Sequence, residues 1–329
     1  MSVNNIEEAL SLAQKRMLDI GEKGFGKANA LNYTLSKKPN LKYVPGTPAF
    51  QQPLRLDPHT NHGFFNGSTD TIGNSIERQF RHAEFPIKYW YSSLSYSLQD
   101  FATTHQTKEA IASLIAEKAA GARIDNENFF NAAVFASGTG TNLNNFNGLA
   151  DIFADENTSY GGILPTDLPD KSLWLTQRTT TQMTPTFNNL NGPISELEAL
   201  GGISGDSNGR FTPDMIISRP DVRVKYENSL QNQQRFVDEK NLVAGFNGIK
   251  FKNLNWFTDV HCPANTIYVL ATNTLSMRYI YGFEGKRSPL DNETQQSNQA
   301  ITSKQTFMVG NITCSHRRPN GVFTNIDMS

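Results

Sequence analysis

The sequence predicts an α+β fold made of an extended N-terminal region, one long helix, and a mixed sheet with helices. Three observations carry this. Residues 43–58 read as extended yet hold Pro45, Pro48, Pro53 and Pro58, and residues 76–98 return as strand. Residues 103–136 are dense in strong helix formers. From residue 141 onward the chain breaks into short elements separated by Gly- and Asn-rich turns.

The chain has 329 residues, enough for one large domain or two ordinary ones. It is 37% hydrophobic and 19% charged, both low for a compact enzyme. Asn, Thr, Ser, Gln and Gly fill the difference, residues that hydrogen-bond in loops and at wet interfaces. Lys plus Arg is 30 against Asp plus Glu at 31, a net charge of -1. A duplex-binding domain neutralises phosphates and shows a basic excess or stripe. Contact with nucleic acid is therefore expected to be weak or confined to a small patch. Two cysteines, Cys262 and Cys314, are too few for a disulfide scaffold and fit a reducing cytoplasm. No stretch approaches the roughly 20 apolar residues of a membrane span. The first residues lack the basic and apolar regions of a signal peptide, so the sequons at Asn66, Asn157, Asn292 and Asn311 reflect an Asn-rich composition.

Residues 5–20 form an amphipathic helix in this reading, capped by Asn4 or Asn5 and ended by Gly21. Ile6, Leu10, Ala13, Met17 and Ile20 line one face at 4-3-4-3 spacing, and so short a helix must dock to persist. Its own domain, a neighbour or a transient assembly partner are the open alternatives. Residues 21–41 read as a strap with Gly21, Gly24 and Gly26. The hairpin that follows, over about residues 43–98, has few apolar residues in its distal half, and a loop so long inside a compact domain is improbable. Either it is disordered or its surface is completed by another chain, and Phe64 and Phe65 near the tip favour the second as contacts. Tyr89, Trp90 and Tyr91 crowd the returning strand and join them as candidate intersubunit contacts, and Leu94 to Leu98 alternates as a half-buried strand should.

Thr103 and Gln106 have capping-box spacing at the start of the long helix, Gly121 is a candidate kink, and Gly138 and Gly140 stop it. Met215-Ile216-Ile217 reads as a short buried strand. Ser218-Arg219-Pro220-Asp221 then starts a helix, with Pro220 in its first turn and Ser218 and Asp221 at capping spacing. Asn247-Gly248 reads as a turn, Ile267 to Ala271 as a strand, and residues 305–325 as one or two more.

The motifs of catalysis are absent from the sequence. There is no P-loop, G-x-S-x-G, H-E-x-x-H or C-x-x-C, and neither Gly-rich run sits between a strand and a helix. His59 and His62 lack a convincing third metal ligand. His261-Cys262 with Cys314-x-His316 offers four ligand atoms but not usual structural-zinc spacing. Buried thiols, or a disulfide formed after release from the cell, remain alternatives for the two cysteines. No catalytic residue, cofactor or metal is assigned.

One further pattern is diffuse. Pro213-Asp214-Met215-Ile216-Ile217-Ser218-Arg219-Pro220 precedes a helix that ends within Tyr226 to Phe236, then come Ala244-Gly245-Phe246 and Ile249-Lys250-Phe251. Asp259-x-x-Cys262-Pro263-Ala264-Asn265 leads into a strand, Gly310-Asn311-Ile312-Thr313-Cys314-Ser315 lies near the C-terminus, and Gly148-Leu149-Ala150-Asp151-Ile152 follows the long helix. In this order, over about residues 85–325, the run resembles a group of tailed-bacteriophage major capsid proteins with the HK97-type fold.

The resemblance implies an N-terminal arm at 1–42 and an extended β-hairpin loop at 43–98. It implies a peripheral domain with a spine helix at 99–145 and about 301–329, and an axial domain at 146–300. The implied protein is a non-enzymatic shell subunit, made in the host bacterial cytoplasm and resident in the virion. It would form hexamers and pentamers around double-stranded DNA without reading its sequence. Portal, a separate scaffolding protein and a decoration protein are the implied partners. Some members crosslink through a loop lysine, but none lies between Lys42 and Lys88, so non-covalent overlap is expected. A nanocompartment shell of the same fold, enclosing cargo proteins, is the alternative. A polysaccharide-binding or hydrolytic phage protein is a third reading, disfavoured by the lack of a carboxylate pair.

Overall fold

A computed structural model describes residues 23, 25–56, 61–64, 67, 76, 80–97, 99, 108–140, 143–204, 211–230, 249–286, 288–289, 293–295 and 301–328. The expected helix at 5–20, the Thr103/Gln106 cap, the Asn247-Gly248 turn, His59 and Phe65 lie outside these residues.

The described elements begin with a short helix α1 (Ala30–Leu35) and strand β1 (Leu41–Tyr43). Asn29 caps α1 by accepting from the Asn32 amide. Strands β2 (Ala49–Arg55) and β3 (Phe80–Pro86) pair antiparallel as a hairpin of their own, in the register Phe50 to Phe85 and Pro53 to His82. Pro53 is tolerated because a two-stranded ribbon leaves each strand one unpaired edge. Both strands alternate buried and exposed residues near the base, whereas Phe80, toward the tip, is exposed.

Strand β4 (Lys88–Ser97) leads to the long helix α2 (Lys108–Phe135). Its 28 described residues span about 42 Å and run unbroken through Gly121. The expected stop is found: a Cβ at Gly138 would lie 2.5 Å from the Asn145 carbonyl oxygen, and Gly140 has φ +67°. A short helix α3 (Leu149–Ile152), strand β5 (Gln177–Thr179) and helix α4 (Phe187–Ser204) follow.

Strand β6 (Met215–Ser218) is entirely buried, and helix α5 (Pro220–Ser229) starts with Pro220 in its first turn. The cap differs from expectation. Arg219 occupies the N-cap without a side-chain bond, because the Ser218 hydroxyl accepts from Trp256 Nε1 at 2.8 Å and donates to the Arg219 carbonyl. The remaining strands are β7 (Ile249–Phe251), β8 (Leu254–Thr258), β9 (Ile267–Leu270), β10 (Leu275–Tyr281), β11 (Glu293–Gln295), β12 (Ile301–Cys314) and β13 (Gly321–Phe323).

Two larger sheets organise these strands. One has the order β1-β10-β12-β11, with β4 also pairing β12 over ten residues, and the other has the order β5-β13-β9-β6-β8-β7. Sheet membership departs from the expected division at 300/301. Strand β10 belongs with β12, whereas β13, after residue 301, pairs with β9 in the second sheet. The C-terminal segment thus crosses from one sheet to the other, which no local pattern announces.

Residue alternation explains how the second sheet is covered. Ile216, Trp256, Ile267 and Val269 face Leu190, Ile194, Leu197, Val222 and Tyr226 of α4 and α5. Met215, Ile217, Phe257, Tyr268 and Leu270 face the larger core, which reaches Phe130, Val134 and Phe135 of α2. A strand presents successive side chains to opposite faces, so with both faces covered β6 (apart from its last residue, Ser218) and β9 are apolar on both sides.

Candidate assembly surfaces

The hairpin is anchored at its base by side chains remote in sequence. Arg278, on β10, is buried and donates from Nη1 to the Gln51 carbonyl and from Nη2 to Gln52 Oε1, both at 2.8 Å. No carboxylate accepts from it among these bonds, and burial lowers its pKa. Asn311 is fully buried on β12. Its Nδ2 donates to the Pro86 carbonyl at 2.8 Å and to Asn147 Oδ1 at 3.2 Å, while its Oδ1 accepts from the Asn147 and Ile312 amides at 2.9 Å. One amide therefore joins the hairpin, the turn after the long helix, and the main sheet. Gly310 beside it is required by space, since a Cβ there would lie 2.6 Å from the Arg278 carbonyl oxygen. The hairpin's apolar face packs on Tyr160, with the Phe85 and Tyr160 rings 5.1 Å apart. The Glu84 amide donates to the Gly161 carbonyl at 2.9 Å.

The end of the long helix is held by opposite charges on either side of its turn. Buried Lys88 donates to the Gly138 carbonyl at 2.7 Å and also to the Leu143 carbonyl. Asp151 accepts from Ser137 Oγ at 2.5 Å, the Gly138 amide at 2.7 Å and Thr139 Oγ1 at 2.8 Å. Burial lowers the Lys88 pKa, and Asp151 acts in the opposite direction. Arg317 is a third buried cation, donating to the carbonyls of Ile152 at 2.8 Å, Ala154 at 2.7 Å and Trp174 at 2.9 Å.

The aromatic residues singled out in the sequence divide by face. Tyr89 is 70% exposed and Tyr91 67%, and Phe64, toward the hairpin tip, is fully exposed at 110%. Tyr91 stands opposite the half-buried Phe307 and Tyr89 opposite the buried Val309 in the β4–β12 register, so the exposed aromatic surface here is that of the two tyrosines. Trp90 must be removed from the contact set. The strand's alternation turns it inward, where it is 8% exposed with its ring 4.9 Å from that of Phe130. Arg278, Asn311 and Arg317 do not stand out as anchors in the sequence, because their partners lie more than 100 residues away.

The zinc alternative finds no geometry. Among the described residues no three His, Cys, Asp or Glu side chains are placed to hold a metal. Cys262 and Cys314 are both free and buried. Cys262 Sγ lies 3.8 Å from the Thr266 carbonyl oxygen, while Cys314 Sγ lies 3.2 Å from that of His316. Burial pushes the two thiols up to about 12 and about 11. No helix among the described residues is long and apolar enough to cross a membrane.

No protein-family model matches the sequence, and no curated protein matches it either. Solved structures do match. The capsid subunit of cyanophage A-1(L) is 13% identical, with 92% of this chain and 93% of that chain covered at a TM-score of 0.65. The SrpI encapsulin of Synechococcus elongatus is 11% identical, covering 88% of this chain and 86% of that one at 0.51. The Mycobacterium phage Bobi structure is 11% identical, covering 88% and 89% at 0.51. At such identities a likeness over nearly the whole chain speaks to architecture, and the protein has the HK97-type fold of phage capsid and encapsulin subunits.

Proposed function

We propose that this chain is the major capsid protein of a tailed phage, forming hexamers and pentamers of an icosahedral head around double-stranded DNA. The observation that carries the reading is the likeness to a cyanophage capsid subunit over 92% of the chain, at a TM-score of 0.65 against 0.51 for the encapsulin. The hairpin fits it. It is rooted by Arg278 and Asn311 and pairs with no other strand among the described residues. In this reading the hairpin reaches over a neighbouring subunit, and Phe64, Tyr89 and Tyr91 supply apolar contact area there. Phe65 is proposed to join them. The near-neutral charge suits a wall that contains DNA without gripping it.

The reading places the protein in the virion, after assembly in the host cytoplasm with a scaffolding protein, a portal and a decoration protein as partners. It assigns the chain no enzymatic role. Residues 99–145 would form the core of the peripheral domain and residues around 146–270 the axial domain. An encapsulin-like compartment is the second reading, kept because the SrpI encapsulin shares the fold.

Negative-stain microscopy of the expressed chain, alone and with its scaffold, tests the proposal. Shells, tubes or ring capsomers are expected, and a monodisperse monomer under every condition overturns it. Shells that package a protein cargo in place of DNA favour the second reading.

A further inference from the structure

Lysines from three separate segments gather around the turn that follows β10. Phe25 is buried with its ring 5.5 Å from that of Phe283, and Lys27, two residues on, is exposed. The same stretch of chain touches Ser36, since a Cβ at Gly26 would lie 3.0 Å from the Ser36 hydroxyl oxygen. This brings Lys27 beside Lys37 and Lys38, both exposed. Lys38 reaches Glu284 at 3.1 Å, and the Lys286 ammonium lies over the ring of Tyr43. Lys42 is not part of the group. In the parallel β1–β10 register it stands opposite Arg278, on the hairpin side, whereas Tyr43 stands opposite Tyr279 on the other face.

Glu284 is the carboxylate bonded to this group. It accepts from the Tyr279 hydroxyl at 2.7 Å, and that bond first, then Lys38, holds its carboxyl below the usual range. Lys27, Lys37, Lys38 and Lys286 set against Glu284 sum to about +3, on a chain whose net charge is -1.

The surroundings decide what such a patch can take. Phe25, Tyr279 and Phe283 are buried, Lys286 covers the exposed Tyr43 ring, and Lys37 lies 5.2 Å from the centre of the Tyr33 ring. A docked peptide needs an apolar anchor in a pocket, and these residues offer none. Splayed bases need free aromatic faces to stack on, and lysines occupy these. A duplex backbone needs neither, because its phosphates are met by point charges on flexible stems.

We propose that Lys27, Lys37, Lys38 and Lys286 contact the phosphate backbone of duplex DNA, as a small contact site for a packaged genome. The choice of DNA among polyanions rests on the shell reading, in which a duplex is held against the subunit. Lys38 is shared with Glu284, so about three phosphates are met, and the contact is weak at physiological salt.

Fluorescence anisotropy of a short labelled duplex with the unassembled full chain, from about 20 to 200 mM salt, tests it. Binding is expected at the low end, with log K falling against log salt at a slope of about -3. Lys27→Gln with Lys37→Gln and Lys286→Gln should flatten the slope to near zero and weaken binding at low salt by about tenfold or more. Lys225→Gln with Lys250→Gln, on α5 and β7, should change neither. Glu284→Gln releases Lys38 and should tighten binding about threefold and steepen the slope by about one, a gain that damage to the fold does not produce. No salt-dependent binding, binding that survives the triple variant, or a loss from Glu284→Gln overturns the proposal. Polyglutamate bound more tightly than the duplex at equal charge overturns it in favour of an acidic protein partner. A chain that forms shells but fails these tests loses this site and keeps the shell reading. A chain that passes them without ever forming shells keeps the duplex site and overturns that reading.

Discussion

Arg278 offers a sharp test of how the hairpin is held, because hydrogen bonding and charge burial act in opposite directions there. The guanidinium makes two bonds of 2.8 Å, to the Gln51 carbonyl and Gln52 Oε1, and neither acceptor is charged. Bonds to a charged donor contribute about 1.5–3 kcal/mol each, so the pair contributes on the order of 3–6 kcal/mol. Burying a cation without a carboxylate costs several kcal/mol and offsets part of this. Lys42 adds to the cost, for its own pKa is lowered first by burial and then by the Arg278 charge.

Arg278→Met removes both terms and should destabilise the subunit by about 2 kcal/mol, the cost of two acceptors left without donors. Arg278→Lys keeps the buried charge but loses the planar fork, so it should cost about 3 kcal/mol. The order, Lys worse than Met, is the discriminating outcome. Urea denaturation of the unassembled subunit gives the two values, and hydrogen exchange should show the loss concentrated in β2 and β3. A Lys variant as stable as the parent would show that the fork does not hold the hairpin.

Four further outcomes are expected. Burial raises the Asp259 pKa, so the folded chain binds a proton more tightly than the unfolded chain. The stability this lends is full below the unfolded value near about 4 and is lost as pH rises through the raised value, so Asp259→Asn should flatten the decline in urea midpoint from pH 4 to pH 7. Cys262 and Cys314, with thiols at about 12 and about 11, should resist a thiol reagent at pH 8 until the chain is unfolded, and early labelling of either would contradict their burial. Gly310→Ala drives a methyl to 2.6 Å from the Arg278 carbonyl oxygen and 2.9 Å from the Met277 methyl carbon, so a loss of about 1–3 kcal/mol in chemical denaturation is expected. Tyr89→Ser with Tyr91→Ser should leave the exposed face of β4 folded but lower shell yield in sedimentation, whereas unchanged yield would remove these residues from the interface.

Legibility in the sequence follows the range of the interactions. The long helix announces itself through local composition, and β6 and β9 through runs of apolar residues that need both faces covered. The hairpin shows as a length anomaly that the pairing of Phe50 with Phe85 explains. Trp90 is misleading because three consecutive aromatics look like one patch, although a strand sends the middle one to the opposite face. Ser218 looks like a cap because the spacing to Asp221 is right, but the Trp256 indole, 38 residues away, has the stronger use for its hydroxyl. The path of the C-terminal strands across both sheets rests on pairings such as Val322 with Tyr268, which no local signal encodes.

The anchors share a chemistry that bears on the proposed shell. Lys88, Arg278 and Arg317 are all buried, and each is met by carbonyl or amide oxygens; no carboxylate accepts from any of them in the bonds described. Several carbonyls converging on one cation each tie a backbone segment to that cation, so each segment's place is fixed by where its oxygen meets the donor. The segments so placed are the hairpin base, the turn ending the long helix, and the loops around Ile152 and Trp174. In the proposed shell, these are the parts whose angles would set how one subunit meets the next. Exchanging any of the three cations for an apolar residue of similar length should therefore shift the curvature or regularity of assembled particles more than it lowers subunit stability. Particle diameters by microscopy, compared with urea midpoints for the same variants, separate the two effects, and a variant whose particles keep the parent diameter despite a large stability loss would break the link.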